Sequence, residues 1–409
     1  MTADHDRPAL ARRLLVEVYI PWVLTQLGRG MLVPVVPLYL RETGLSYTNV
    51  AVVVAALGAG AILGGLPSGV VSSRVGPEWL FVGATAVTAV TSALLGVSTA
   101  VVALVAFRLA AGAGAVGLRV SAQMLVNSAP PGHQRGRGMS VLGGSVRLAA
   151  FVGPLLGGFL AETVGYSATF VVCGSTTLVG LVPFVAVRRS AGPDVHRFDR
   201  PERSGVTIRS TLRRHAGLLA LAGTGAALVM AGREGRSVIV PLIGDDLGLG
   251  PTAVGALVAI GTGADLVLFP IAGWLMDRFG RLAAIVPAFS LVAVGLAVMG
   301  AWYSTTGVIV AGVIMGIGNG MSAGTMLTLG GDLAPRDSGP FLAALGTIQD
   351  AGVVVGALVV GRFADEAGLA TSSTALAVVM TMAVVWMVVV IGDSAAPTRP
   401  WIVRRLDRP

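Results

Sequence analysis

Lysine is absent from this chain: all 29 of its basic residues are Arg. A nucleotide-binding loop that ends in Lys therefore cannot occur, which argues against a primary pump. Cysteine occurs once, at Cys173, so there is no internal disulfide and no cysteine pair for a metal. The four histidines, His5, His133, His196 and His215, fall in expected termini or loops, with no pair at metal-ligand spacing. Neither a metal, nor a cofactor, nor the catalytic cluster of an enzyme is expected. Charge is scarce as well. Asp, Glu, Lys and Arg make up 12% of the residues, about half the share of a soluble domain.

What fills the chain instead is apolar. Hydrophobic residues reach 54% and the mean hydropathy is +0.81. A bilayer crossing needs about 20 apolar residues, and twelve such runs can be drawn. They lie near 14–40, 50–71, 79–97, 100–126, 139–160 and 167–187, then near 216–243, 251–275, 282–302, 305–328, 340–362 and 371–391. The opening run is too long for a cleavable signal and lacks a clear cleavage site. The expected organisation is a six-helix bundle over 1–187, a basic central loop over 188–215, and a second six-helix bundle with a tail over 216–409.

The second half repeats the first. Gly28, Arg29, Val36, Pro37 and Leu38 recur 204 positions later as Gly232, Arg233, Val240, Pro241 and Leu242. The same offset carries Gly69, Arg74 and Gly76 onto Gly273, Arg278 and Gly280, and a one-residue slip carries Gly143 and Gly153 onto Gly346 and Gly356. With the N-terminus placed inside, the inside segments hold 21 Arg, whereas the outside ones hold only Arg41 and Arg362. That asymmetry follows the positive-inside rule and puts both termini in the cytoplasm. The net charge of +8 then reflects anionic headgroups rather than nucleic acid.

Twelve spans in two halves joined by a basic loop resemble the major facilitator superfamily. The resemblance extends to short motifs. After span 2 comes Gly69-Val70-Val71-Ser72-Ser73-Arg74-Val75-Gly76, with Ser73 where that family usually has Asp, and after span 8 comes Gly273-Trp274-Leu275-Met276-Asp277-Arg278-Phe279-Gly280. These read as tight turns whose charges latch neighbouring helix ends, or as turns held by headgroups. Span 4 carries Arg108-Leu109-Ala110-Ala111-Gly112-Ala113-Gly114-Ala115, and span 5 carries Ala149-Ala150-Phe151-Val152-Gly153-Pro154-Leu155-Leu156-Gly157-Gly158. The span 5 stretch resembles the antiporter motif of drug–proton exporters. Its small residues, four apart, make a face for close packing, and Pro154 bends the helix.

Ionisable groups at membrane depth are expensive and point to function. Arg29, Arg108, Arg119, Arg147, Arg233 and Arg236 lie within spans, with Glu234, Asp265 and Asp350 as the deep acids. By the resemblance, Arg29, Arg119, Arg233, Arg236 and Asn319 are substrate-cavity candidates. Asp265, Asp350, Glu234 and Arg108 are the proton-coupling candidates. Arg147 and Asp350, at corresponding places in spans 5 and 11, are expected to pair across the halves. The excess of Arg is compatible with an acidic substrate, or with guanidiniums used up on carbonyls and ion pairs. Pro34, Pro37, Pro241 and Pro270 mark either hinges or fixed kinks. The reading that results is a monomeric bacterial plasma-membrane transporter that exports small amphipathic compounds against inward protons. Proton-coupled import of an organic acid or another metabolite is the alternative.

Overall fold

A computed structural model of the protein describes residues 15–128, 135–190, 213–334 and 338–392. Most of the expected central loop and both chain ends lie outside these residues. The described part is helical throughout, with no strand. Ten of its helices are long and apolar enough to cross a bilayer. One of them, Ser338–Ile391, turns back on itself at Gly368, where φ is 85°, and supplies spans 11 and 12. The shorter apolar helix Thr305–Met321 supplies span 10. The fold is thus an all-α, twelve-span membrane protein in two pseudo-symmetric six-helix bundles.

Spans 1 to 5 are the helices Ile20–Glu42, Tyr47–Val75, Pro77–Leu94, Val101–Ser128 and Arg135–Val164. Span 6 is Tyr166–Val179 continued by Leu181–Ser190. Its break at Gly180 has a local cause: Pro183 has no N–H to offer the carbonyl four residues back, at Val179. Spans 7 to 9 are Ala216–Asp246, Pro251–Phe279 and Arg281–Ala301. Span 10 ends earlier than its hydropathy implies, because Gly324 takes a left-handed φ of 78° and starts a separate helix, Thr325–Leu333. Pro34, Pro37, Pro241 and Pro270 all sit inside continuous helices.

Repeat-related turns use the same chemistry. Gly76 and Gly280, with φ of 95° and 90°, each end one span and cap the next. Only glycine enters that region without strain. Because the span number is even, the first span begins and the twelfth finishes at one end of the bundle, here the terminal end. Large apolar side chains such as Leu63, Val102 and Val267 stand exposed on the outside, as a lipid-facing surface requires.

Within each half, small residues set the packing. A Cβ on Gly153 would meet Gly30 Cα at 2.6 Å, and one on Gly356 would meet Ala231 Cα at 2.9 Å. Spans 5 and 11 therefore lie directly on spans 1 and 7 of their own halves.

Candidate functional site

The two halves meet through spans 5 and 8 and through spans 11 and 2. Pro154 and Gly158, on the other face of span 5 from Gly153 and Gly157, carry the first contact. A Cβ on Gly158 would run into the Pro251 carbonyl, and one on Gly255 into the Pro154 carbonyl. The Thr262 hydroxyl donates to Ala150 O at 2.9 Å across the same seam.

At the end away from the termini, each half caps a helix of the other. Asp365, at the end of span 11, accepts from Tyr47 N at 3.0 Å and Thr48 N at 2.8 Å, the start of span 2. Glu162, at the end of span 5, accepts from Thr252 N at 2.9 Å, the start of span 8. The two carboxylates are repeat-equivalent. Glu162 receives one backbone bond rather than two because Pro251 stands where Tyr47 stands in the other copy and has no N–H. Negative charge at a helix N-terminus is favoured by the helix dipole. Towards the terminal end the contact thins: Gly69, Gly143, Gly144, Gly273 and Gly346, on these same four helices, have nothing within 4 Å of an added Cβ.

Two cavities, of about 230 and 150 Å³, lie between the halves at mid-depth. Val33, Ala150, Glu234 and Ser237 line both, so the two adjoin. Arg29 and Arg108 face the larger, with Gln26, and Arg233 and Arg236 face the smaller. Arg29 is exposed while its neighbours Gly28 and Gly30 are buried, which turns it towards the cavity. Its Nη1 donates to Gln26 Oε1 at 3.3 Å. Gln26 had no signal in the sequence beyond lying one helical turn before Arg29.

The other deep charges form two bridges between the halves. Arg147 on span 5 donates through Nε to Asp265 Oδ1 on span 8 at 3.2 Å, and stacks over Phe269. Asn319 on span 10 donates to the second oxygen, Oδ2, at 2.5 Å. Arg119 on span 4 donates to Asp350 Oδ2 on span 11 at 3.3 Å. The expected pair of Arg147 with Asp350 is not formed. The two are equivalent positions of the repeat, so the pseudo-twofold sends them to opposite seams. Arg147 meets span 8, and Asp350 meets the first half from its other side. Arg119 and Asn319, expected to face the cavity, line neither one, because each is engaged by a carboxylate instead.

The motif turns sit at the terminal end. Asp277 is 84% exposed and, among the described residues, pairs with Arg281 at 3.9 Å. Arg281 also donates to Asp332 at 3.0 Å, on the short helix after span 10. Arg278 lies over the Trp274 and Phe279 rings. In the first copy, Ser73 donates to Val70 O within its own helix. Among the described residues, no group of three or more His, Cys, Asp or Glu side chains could hold a metal ion.

A family model described as Major Facilitator Superfamily matches residues 22–232 and 222–403. An uncharacterized MFS-type transporter of Methanocaldococcus jannaschii is 20% identical over 370 residues, 88% of this chain and 94% of that protein. The quinolone resistance protein NorA of Staphylococcus aureus is 23% identical over 168 residues, 41% of this chain and 42% of that protein. Among solved structures, a POT family transporter in complex with 5-aminolevulinic acid has a TM-score of 0.76 at 13% identity, covering 92% of this chain and 96% of that one. An inward-facing bacterial homolog to the human lysosomal transporter Spinster has 0.72 at 17%, covering 93% and 95%. At these identities the structural likeness concerns the fold.

Proposed function

Because the chain belongs to the Major Facilitator Superfamily, a family of transporters rather than enzymes, we propose that it exports small amphipathic compounds in exchange for inward-moving protons. The halves rock around the two adjoining cavities. The protein is a multi-pass integral membrane protein; its place in this reading is the bacterial plasma membrane, as a monomer with both termini cytoplasmic. The capped end then faces outward, and the cavities are reached from the cytoplasm.

The observation that carries the coupling is the pair of bridges Arg147–Asp265 and Arg119–Asp350. A proton on either acid removes the attraction that ties one half to the other. Rocking changes both the desolvation of each carboxylate and its distance from Arg, the two influences that set its proton affinity. The acid takes up a proton in one state and releases it in the other. Glu234, on the wall of both cavities, is the third candidate, and Arg108, on the wall of the larger, joins it. Gly69, Arg74 and Gly76, with Gly273, Asp277, Arg278 and Gly280, re-form a latch when the terminal end closes. The exposed Asp277 is free to move to new partners.

Export is favoured over import by the face of Pro154 and Gly158 against span 8, and by the similarity to a quinolone resistance protein over part of the chain. The second reading, proton-coupled uptake of an organic acid, is favoured by the cavity's excess of Arg. A proton on Glu234 and an anion among the guanidiniums would assist each other, and that linkage suits co-transport. The test is purified protein in proteoliposomes, screened with diverse amphipathic compounds under an imposed pH gradient. Wild-type protein is expected to move protons when a substrate is added, and Asp265→Asn, Asp350→Asn or Glu234→Gln to lose that movement. Unchanged coupling in all three folded variants rejects the proposal. Substrate-driven alkalinisation of the outer compartment selects uptake over export.

A further inference from the structure

The six mid-span arginines divide into two groups. Arg119 and Arg147 have carboxylate partners at the seams between the halves. Arg29, Arg108, Arg233 and Arg236 line the cavities, and none of them forms a salt bridge among the described residues. Among the described residues, the only carboxylate on the lining of either cavity is Glu234. Four guanidiniums thus line a shared space with one lining acid, while the bridged Asp265 lies close enough to act on Arg233 and Arg236, and Asp350 on Arg29.

Two of the four are also short of hydrogen bonds. Arg108 is only 8% exposed, and its buried Nε has no partner. A buried Nη1 of Arg236 has none either. An uncompensated buried charge is strongly destabilising, whereas a hydrogen-bonded ion pair offsets much of the desolvation. A guanidinium is a planar fork that matches carboxylate, sulfonate or phosphate oxygens two at a time. Much of the remaining wall is apolar, with Val33, Val36 and Leu57 on one side and Val258 and Met315 on the other, interrupted by Gln26, Thr88, Ser92, Ser237 and Thr262. Pockets that hold small ligands usually run from about 300 to 1,000 Å³, so the adjoining pair suits a compact molecule.

We infer that the transported compound is a compact amphipathic organic anion. Its acidic head sits among Arg29, Arg108, Arg233 and Arg236, and its apolar body lies against spans 1 and 8. Glu234 opposes the head and so sets how tightly it is held. The inference rests on the transport reading of these cavities, but neither on its direction nor on which acid carries the proton.

The test is isothermal titration of the full chain in nanodiscs with three probes that share one ring system: naphthoate, naphthylmethanol and naphthylmethylammonium. Naphthoate is expected to bind at least about tenfold more tightly than the ammonium, the alcohol falling between. Arg108→Gln and Arg236→Gln should each weaken naphthoate binding about tenfold or more, as loss of a charged hydrogen bond implies. Arg108→Lys should retain part of it, and Glu234→Gln should tighten it. Thermal melting of each variant identifies any that has failed to fold, and Arg29→Gln gives an independent reading if Arg108→Gln does. The inference is overturned if the ammonium probe binds as tightly as naphthoate. It is equally overturned if naphthoate affinity is unchanged in both folded glutamine variants. Anion-selective binding by a protein that moves no protons would sink the coupling proposal and leave this inference standing. Cation-selective binding with intact coupling would do the reverse.

Discussion

Asp265 is held from two directions. Arg147 supplies charge from the opposite half, and Asn319 supplies an amide donor from its own half. Hydrogen bonds to a charged group contribute more than neutral ones, yet measured couplings within membrane bundles are modest. A double-mutant cycle of Asp265→Asn with Asn319→Ala, read from unfolding in mild denaturant, is expected to give a coupling of about 1 kcal/mol. A coupling near zero would mean that the amide does not stabilise the carboxylate. The sequence marked Asp265, Asp350, Arg119 and Arg147 as deep charges, because lipid tolerates so few. It could not assign their partners. Arg147 and Asp350 matched under the repeat, but sequence equivalence places two residues symmetrically about an axis, which is a different thing from placing them in contact.

Helices make the seams, and span 5 shows how one element serves two neighbours. Its Gly153 and Gly157 lie on span 1, while Pro154 and Gly158 lie on span 8 of the other half. Close packing of span 5 was legible from the four-residue spacing of its small residues. That two helices share the motif was not, because neighbouring positions point to different faces only once a partner exists on each side. The carboxylate caps were also missed, although the 203-residue offset that relates Glu162 to Asp365 was already visible in Gly153 and Gly356. Both acids sit at helix ends, where an exposed carboxylate usually means nothing more than solvent. If the caps hold the outer end shut, Glu162→Gln combined with Asp365→Asn opens it more often. Val33→Cys on the cavity wall, in a Cys173→Ser background, should then react faster with a membrane-impermeant maleimide added from outside. Equal labelling rates with and without the cap substitutions would remove any gating role for them.

At the scale of the whole molecule, composition and the repeat already disclosed twelve spans and two halves, since hydropathy and an offset are properties of the chain alone. Where the halves touch, and at which end, depends on the packed state. The seam is tight and capped at the end away from the termini and thin at the terminal end, and the two acid–guanidinium bridges lie between. The central claim is that these bridges are the proton-sensitive joints that set which way the cavities face. The most direct measurement is pulsed EPR between spin labels at Val97→Cys and Thr306→Cys, exposed outer-end positions in opposite halves, again without Cys173. Acidification is expected to lengthen the label-to-label distance as the outer end opens, and Asp265→Asn with Asp350→Asn to lengthen it already at neutral pH. A distance distribution that ignores both pH and the double substitution would contradict the account.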